Sequence, residues 1–216
     1  MSFCEASRTA TLSVGVVKSG AFEMKYFAYG SNLDLLQMAQ RCPNAKVIGP
    51  AQLTNHRLCF PRSSPVRGCA VASIEPHEGH VIWGVIYELD ADDLHRLDSR
   101  EGYDPVNLAG VNRYEREEIV VAHKQGEKVD AVVYIAVPED DPGRPSSGYM
   151  RHIIEGAVAH SFPDDYIEML RAVEVAVDEY ATLDYLDEYE EPEAESEFEA
   201  EADDEPDDRY EDDRDD

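Results

Sequence analysis

The run Met24-Lys-Tyr-Phe-Ala-Tyr-Gly-Ser-Asn-Leu33 constrains this chain more than any other stretch. Its aromatic segment, Tyr26 to Tyr29, stops abruptly at Gly30-Ser31-Asn32, and a helical pattern with Leu33, Leu36 and Met38 as apolar positions follows at once. The sequence therefore predicts a strand, a tight turn and a helix start in immediate succession. Glycine permits the sharp backbone path, and Ser31 or Asn32 supplies an oxygen for the first free N–H groups of the helix. Such a helix mouth carries unpaired backbone donors at a positive dipole end, suited to a carboxylate or a developing oxyanion. Taken alone, the same run is also an ordinary capped connection.

A second segment lies downstream. Val81 to Leu89 predicts a buried strand and Asp90 to Glu101 a short helix. Asp90 suits the N-cap, Asp92 and Asp93 suit the positive helix end, and Gly102 falls where a left-handed residue closes a helix. Leu94, Leu97 and Glu101 are spaced i, i+3, i+7 and share one face. Two placements of Glu101 fit this pattern. In one, the last turn frays and the carboxylate reaches solvent. In the other it continues the apolar stripe inward, where burial and the helix dipole raise its pKa and suit it to proton transfer near neutral pH.

Further candidate strands are 25–29, 46–50, 54–60, 69–75, 81–89, 113–123 and 129–137, with helices at 33–41, 91–101, 149–159 and 163–177. Together they predict an α+β domain. Pro138 to Ser147, rich in Pro, Gly, Ser and Asp, reads as a loop and as a candidate lid. Arg57, Arg62 and Arg67 lie near a Pro61–Gly68 loop, where one of them could meet a substrate carboxylate. Tyr114 and Tyr134 read as strand core. Gly84 marks a close backbone approach, either beside a site or in packing. His77-Glu-Gly-His80 lacks the i, i+4 spacing of a zinc-binding helix and reads as a hairpin turn. No metal site is expected.

Charge divides the chain. Residues 184–216 hold 20 acidic and 2 basic residues, leaving 27 acidic and 17 basic in residues 1–183. With scattered apolar side chains such as Leu186 and Phe198, this acidic tail is expected to be disordered. The acidic balance argues against nucleic acid or an anionic membrane as a partner. No stretch is long and apolar enough for a transmembrane helix. Residues 1–23 read either as a flexible extension or as lying upstream of a true start at Met24. Cys4, Cys42, Cys59 and Cys69 form no Cys-x-x-Cys pair and read as reduced thiols of a cytoplasmic protein.

Phe27-Ala-Tyr-Gly-Ser-Asn-Leu33, Trp83-Gly-Val-Ile-Tyr87 and Leu97-Asp-Ser-Arg-Glu-Gly102, with Ser147-Gly-Tyr-Met150 opening a helix, together resemble the γ-glutamylcyclotransferase superfamily, including its AIG2-like branch. The resemblance runs co-linearly over about residues 24–175, within a domain expected to span 24–180. It implies a small mixed β-barrel surrounded by helices, and no metal or cofactor. It implies cyclisation of a γ-glutamyl group to 5-oxoproline with release of an amino acid or amine. Glu101 takes the role of general acid/base, and Tyr26, Phe27, Ala28, Tyr29, Gly30, Ser31, Asn32 and Tyr149 that of substrate-binding residues. The backbone N–H groups of Tyr29 to Asn32 would hold a substrate carboxylate or the carbonyl oxygen; both remain open. Relatives acting on glutathione tend to carry leucine at the position of Asn32, which points to general γ-glutamyl amino acids instead. A γ-glutamyl amine or a γ-glutamylated aminoglycoside intermediate are alternative substrates. The partner is a small γ-glutamyl molecule, and a homodimer is compatible with the family. The readings from another class are a non-catalytic γ-glutamyl-binding module and an interaction protein acting through its acidic tail.

Overall fold

The computed structural model describes residues 23–106 and 112–176. The extension 1–22, Cys4, the domain boundary at 180 and the acidic tail lie outside the described residues. Five strands close into a barrel in the order β1-β3-β2-β4-β5: β1 Met24–Ala28, β2 Lys46–Ser64, β3 Cys69–Leu89, β4 Tyr114–Ala122 and β5 Lys128–Ala136. Helices α1 Leu35–Arg41, α2 Ala91–Glu101, α3 Ser147–Ala159 and α4 Asp164–Arg171 complete the α+β fold. Among the described residues no helix is long and apolar enough to cross a membrane.

The barrel is mixed because β1 pairs antiparallel with β3 and parallel with β5, where Tyr26 lies opposite Val132. All other pairings are antiparallel. β1 is thus a central strand, with Phe27 and Ala28 fully buried. Its neighbour β3 contributes Val85, Ile86, Tyr87 and Leu89 to the same core. Burying each such large side chain is worth about 1.5–3 kcal/mol. Gly84 faces this strand, and a Cβ there would strike the Phe27 ring and the Ala28 carbonyl oxygen. Its role is the packing contact between β1 and β3.

Seven expected strands become five because the gap at 51–53 is regular ladder, Ala51 to Leu53 facing Gly84 to Ile82, and the gap at 76–80 is a bulge and not a turn. In β2 the register slips between Val47 and Gly49 and again between Thr54 and His56, while pairing with β3 continues on both sides. His77-Glu-Gly-His80 is the matching excursion in β3. Thr54 faces Val81 and His56 faces Pro76, so Asn55 alone spans the four extra residues. Asn55 takes a positive φ of 58° and its Oδ1 accepts the Gly79 N–H at 3.1 Å. The expected hairpin turn is therefore a side-chain-stabilised bulge inside a continuous strand. The true turn between β2 and β3 is confined to Pro65–Gly68.

Three further expectations are corrected. Helix α4 ends at Arg171 and not at residue 177, because the chain turns at Val173 and the Ala176 N–H donates to the Pro145 carbonyl. The segment 138–146 does not cover the cavity. Glu139 is fastened to the β2 end through its N–H to the Pro61 carbonyl and its carboxylate to Arg62, while the Arg144 carbonyl accepts the Ala70 N–H. Leu36 is 62% exposed, since α1 starts only at Leu35 and turns that position outward.

Candidate active site

After β1 the chain enters a 3₁₀ turn, Ser31–Leu33, closed by the N–H groups of Leu33 and Asp34 on the carbonyls of Gly30 and Ser31. The N–H groups of Gly30, Ser31 and Asn32 precede these internal bonds. Neither Ser31 nor Asn32 caps α1. Asp34 does, its Oδ1 accepting the N–H groups of Leu36 at 2.9 Å and Gln37 at 3.0 Å. Its Oδ2 lies 2.8 Å from His152 Nδ1 on α3. The mouth of α1 is thus filled by the protein's own carboxylate, and the backbone donors available to a ligand belong to the turn before it. Gly30 has a negative φ of −103°. A Cβ there would lie at ordinary contact distance, 3.4 Å from Ala72 Cβ and 3.7 Å from the Tyr149 hydroxyl, so neither backbone angle nor space demands a glycine.

Asn32 is buried and makes four side-chain contacts. Its Nδ2 donates to the Tyr26 hydroxyl at 2.9 Å and to Glu101 Oε1 at 3.2 Å. Its Oδ1 accepts from Arg41 Nη1 at 2.7 Å and Gln37 Nε2 at 3.2 Å. Two donors on one side and two acceptors on the other fix the orientation of the amide. Gln37 continues the network to the Ser31 hydroxyl at 2.9 Å and accepts from Arg67 at 2.6 Å.

Glu101 arrives from the opposite side, at the end of α2. Asp90 caps that helix by accepting the Asp93 N–H at 2.8 Å, and Gly102 closes it with φ 67° and ψ 38°. Leu94 and Leu97 are buried on the face that carries Glu101. One turn earlier, Asp98 accepts from Arg116 Nη1 on β4 at 2.7 Å and from the Tyr134 hydroxyl on β5 at 2.6 Å. These bonds lock the rotation of α2 against the barrel. Burial raises the Glu101 carboxyl above the usual carboxylate range; the Arg41 charge and the Asn32 hydrogen bond oppose that rise without cancelling it. Asp93, expected only to favour the helix dipole, is buried and accepts the Asn44 N–H at 2.9 Å, tying α2 to the segment after α1.

Tyr149 enters from the first turn of α3, which Ser146 caps through the Tyr149 N–H at 3.0 Å. Its hydroxyl accepts the Ala72 N–H at 2.9 Å, which leaves the hydroxyl proton to be donated into the cavity. The Arg67 guanidinium stands 5.1 Å from its ring centre. Burial raises the Tyr149 and Tyr26 phenols above the usual tyrosine range, so both are neutral.

Of the residues expected from sequence, Tyr26, Tyr29, Gly30, Ser31, Asn32, Glu101 and Tyr149 line one cavity of about 120 Å³. Phe27 and Ala28 do not line it and lie in the barrel core. Arg62 and Arg67 reach the cavity, whereas Arg57 is outside it and pairs with Glu75. Tyr114 and Tyr134, read as strand core in preference to pocket lining, also line it, as do Arg41, Arg100 and Arg113, which the sequence did not single out. Arg41 reads locally as a cation suited to a helix end, and Arg113 as an ordinary strand flank. Among the described residues no three His, Cys, Asp or Glu side chains converge as metal ligands.

This geometry has relatives. A sequence model of the AIG2-like family matches residues 81–170, a stretch that includes Glu101 and Tyr149. The chain is 31% identical over 153 residues to a gamma-glutamylcyclotransferase of Homo sapiens, covering 69% of this chain and 78% of the relative. A Mus musculus protein of the same name is 30% identical over the same extent. A solved structure named gamma-glutamyl cyclotransferase superimposes with a TM-score of 0.66 at 28% identity, covering 73% of this chain and 92% of that one. The chain belongs to the γ-glutamylcyclotransferase and AIG2-like superfamily.

Proposed function

We propose that this protein is an enzyme that cyclises the γ-glutamyl group of a γ-glutamyl amino acid to 5-oxoproline, with Glu101 as general acid/base. The observation that carries the reading is the Glu101 carboxyl itself, raised by burial and held 3.2 Å from Asn32 Nδ2 across a small cavity from the 3₁₀ turn. A cavity of about 120 Å³ suits a glutamyl head group held folded, with the departing half at the open mouth.

The α-amine of a γ-glutamyl group has a pKa of about 8 and must be neutral to attack. Glu101, ionised, takes one proton from the amine as its nitrogen bonds to the γ-carbonyl carbon. The five-membered ring forms, the oxygen becomes an oxyanion, and the N–H groups of the turn or the Tyr149 hydroxyl donate to it. Collapse breaks the original amide bond as Glu101 returns the proton to the departing nitrogen. The products are 5-oxoproline and a free amino acid; no water is consumed and no group is oxidised or reduced. Holding the chain folded supplies much of the rate, since ring closure needs only proximity and a proton shuttle.

The test is release of 5-oxoproline, followed by mass spectrometry, from γ-glutamyl amino acids, γ-glutamyl amines and glutathione. The protein should turn over γ-glutamyl amino acids, and Glu101→Gln should lower kcat by about 10²–10⁴-fold with the fold intact. Equal rates in parent and variant would remove Glu101 from the chemistry. Ligand binding without product from the parent would favour a non-catalytic binding module.

A further inference from the structure

Among the described residues five arginines line the cavity, Arg41, Arg62, Arg67, Arg100 and Arg113, against the single carboxylate of Glu101. The chain as a whole has a formal net charge of −28, so this concentration of cations is not a matter of composition. The arginines divide by position. Arg41 is directed inward onto Asn32, and Arg62 is engaged by Glu139 at 2.8 Å and by the Val137 carbonyl at 2.9 Å. Arg67 lies over Tyr149 at the inner end. Arg100 and Arg113 are different. Both are exposed at the mouth, on either side of Glu101 and Gly102. Arg113 Nη2 donates to the Arg100 carbonyl at 2.8 Å, which anchors its side chain against the end of α2. Among the described residues neither has a carboxylate within ion-pair distance.

A γ-glutamyl conjugate of a neutral amino acid carries one carboxylate on each half. The glutamyl carboxylate belongs to the inner end, near the turn. The departing half occupies the mouth, where its own carboxylate meets one guanidinium and leaves the second. We propose that the preferred substrates are γ-glutamyl conjugates whose departing amino acid bears a second acidic group, a side-chain carboxylate or a phosphate, held by Arg100 and Arg113. The proposal rests on the cyclotransferase reading and adds the chemistry of the leaving group. Guanidinium pairs recognise carboxylate and phosphate through charge-assisted hydrogen bonds and suit both. The same cations disfavour the protonated α-amine, and so favour the attacking form.

The decisive comparison is γ-glutamyl-glutamate against γ-glutamyl-glutamine, which differ by a charge at nearly constant shape, with γ-glutamyl-phosphoserine as the phosphate arm. Turnover and calorimetric binding are measured on the full chain, binding also on Glu101→Gln. The acidic conjugates should show kcat/KM higher by about tenfold at low salt, the size expected of one charged hydrogen bond. The advantage should shrink as salt screens the exposed pair. In Arg100→Gln/Arg113→Gln the ratio between the two conjugates should fall toward one. A ratio near one in the parent overturns the leaving-group assignment and leaves the cyclotransferase reading standing. Tighter binding of the acidic conjugates without product overturns the reaction and retains the ligand class. Absence of binding by every conjugate overturns both. The phosphoserine and glutamate arms, compared with each other, decide which acid the mouth prefers.

Discussion

Burial of the Glu101 carboxyl raises its pKa, and the same burial acts on the stability of the folded protein with a definite sign. Between the ordinary carboxylate value and the raised one the folded state binds the extra proton, so stability falls as pH rises through that window. Below about pH 4.3 the group is protonated in both states and the penalty is absent. Glu101→Gln should therefore melt close to the parent at pH 4 and above it at pH 8, measured by thermal unfolding across pH. A variant less stable at pH 8 than at pH 4, relative to the parent, would contradict the burial of this charge. In the proposed mechanism the same group sets the acidic limb of turnover. Arg41 is the foremost of the influences that hold the Glu101 pKa down. Arg41→Gln should move the acidic limb of the kcat/KM profile to higher pH, as read from the pH dependence of 5-oxoproline formation. At this scale the sequence showed Glu101 and Tyr149 through helix phase and motif. It did not show Arg41, Arg100 or Arg113, because each reaches the cavity from an element whose placement depends on the closed barrel.

Local signals were most legible in elements whose ends are decided by neighbouring residues. Helix α2 runs as expected because its N-cap, its apolar spacing and its left-handed terminal glycine all lie within thirteen residues of chain, Asp90 to Gly102. The strands were harder. Gly49 and Gly79 punctuate β2 and β3 in sequence, yet cross-strand pairing continues past both. Only a partner strand can decide whether a glycine ends a strand or bulges it. The cap of α1 was misplaced for a similar reason: Ser31 and Asn32 are suitable capping types, but Asp34 follows them and takes the bonds. One element contact has a clear mutational consequence. At Gly84 an added Cβ meets the fixed carbonyl of Ala28 as well as the Phe27 ring, so relief requires the backbone of β1 to move. Gly84→Ala should destabilise the fold by about 1–3 kcal/mol, as overpacking does, and lower kcat more than a surface Gly→Ala change. Chemical denaturation and turnover on the same samples would measure both effects, and unchanged stability would refute the contact.

For the whole molecule, electrostatics set two regions against each other. The cavity concentrates guanidinium groups, whereas residues 184–216 carry 20 of the chain's 47 acidic residues. The substrate proposed above is an anion approaching a strongly anionic protein, and long-range repulsion would slow encounter in an ionic-strength-dependent way. A chain truncated after residue 183 should retain kcat within about twofold, since the groups that perform the chemistry in this proposal lie in the barrel and its helices. Its kcat/KM should depend less on added salt than that of the full chain. A large loss of kcat on truncation would give the tail a part in turnover.

The parallel seam between β1 and β5 also decides when the cavity can first exist. The Tyr29 hydroxyl donates to the carbonyl of Tyr134, 105 residues later, and Tyr26 pairs across the same seam with Val132. During synthesis the turn that follows β1 leaves the ribosome early, and although β3 can pair with one edge of β1, the other edge stays open until the Val132–Tyr134 stretch emerges. Contacts of such long sequence separation make folding slow. A nascent chain stalled before residue 128 would hold both Asn32 and Glu101 and still lack the strand that closes the barrel around them.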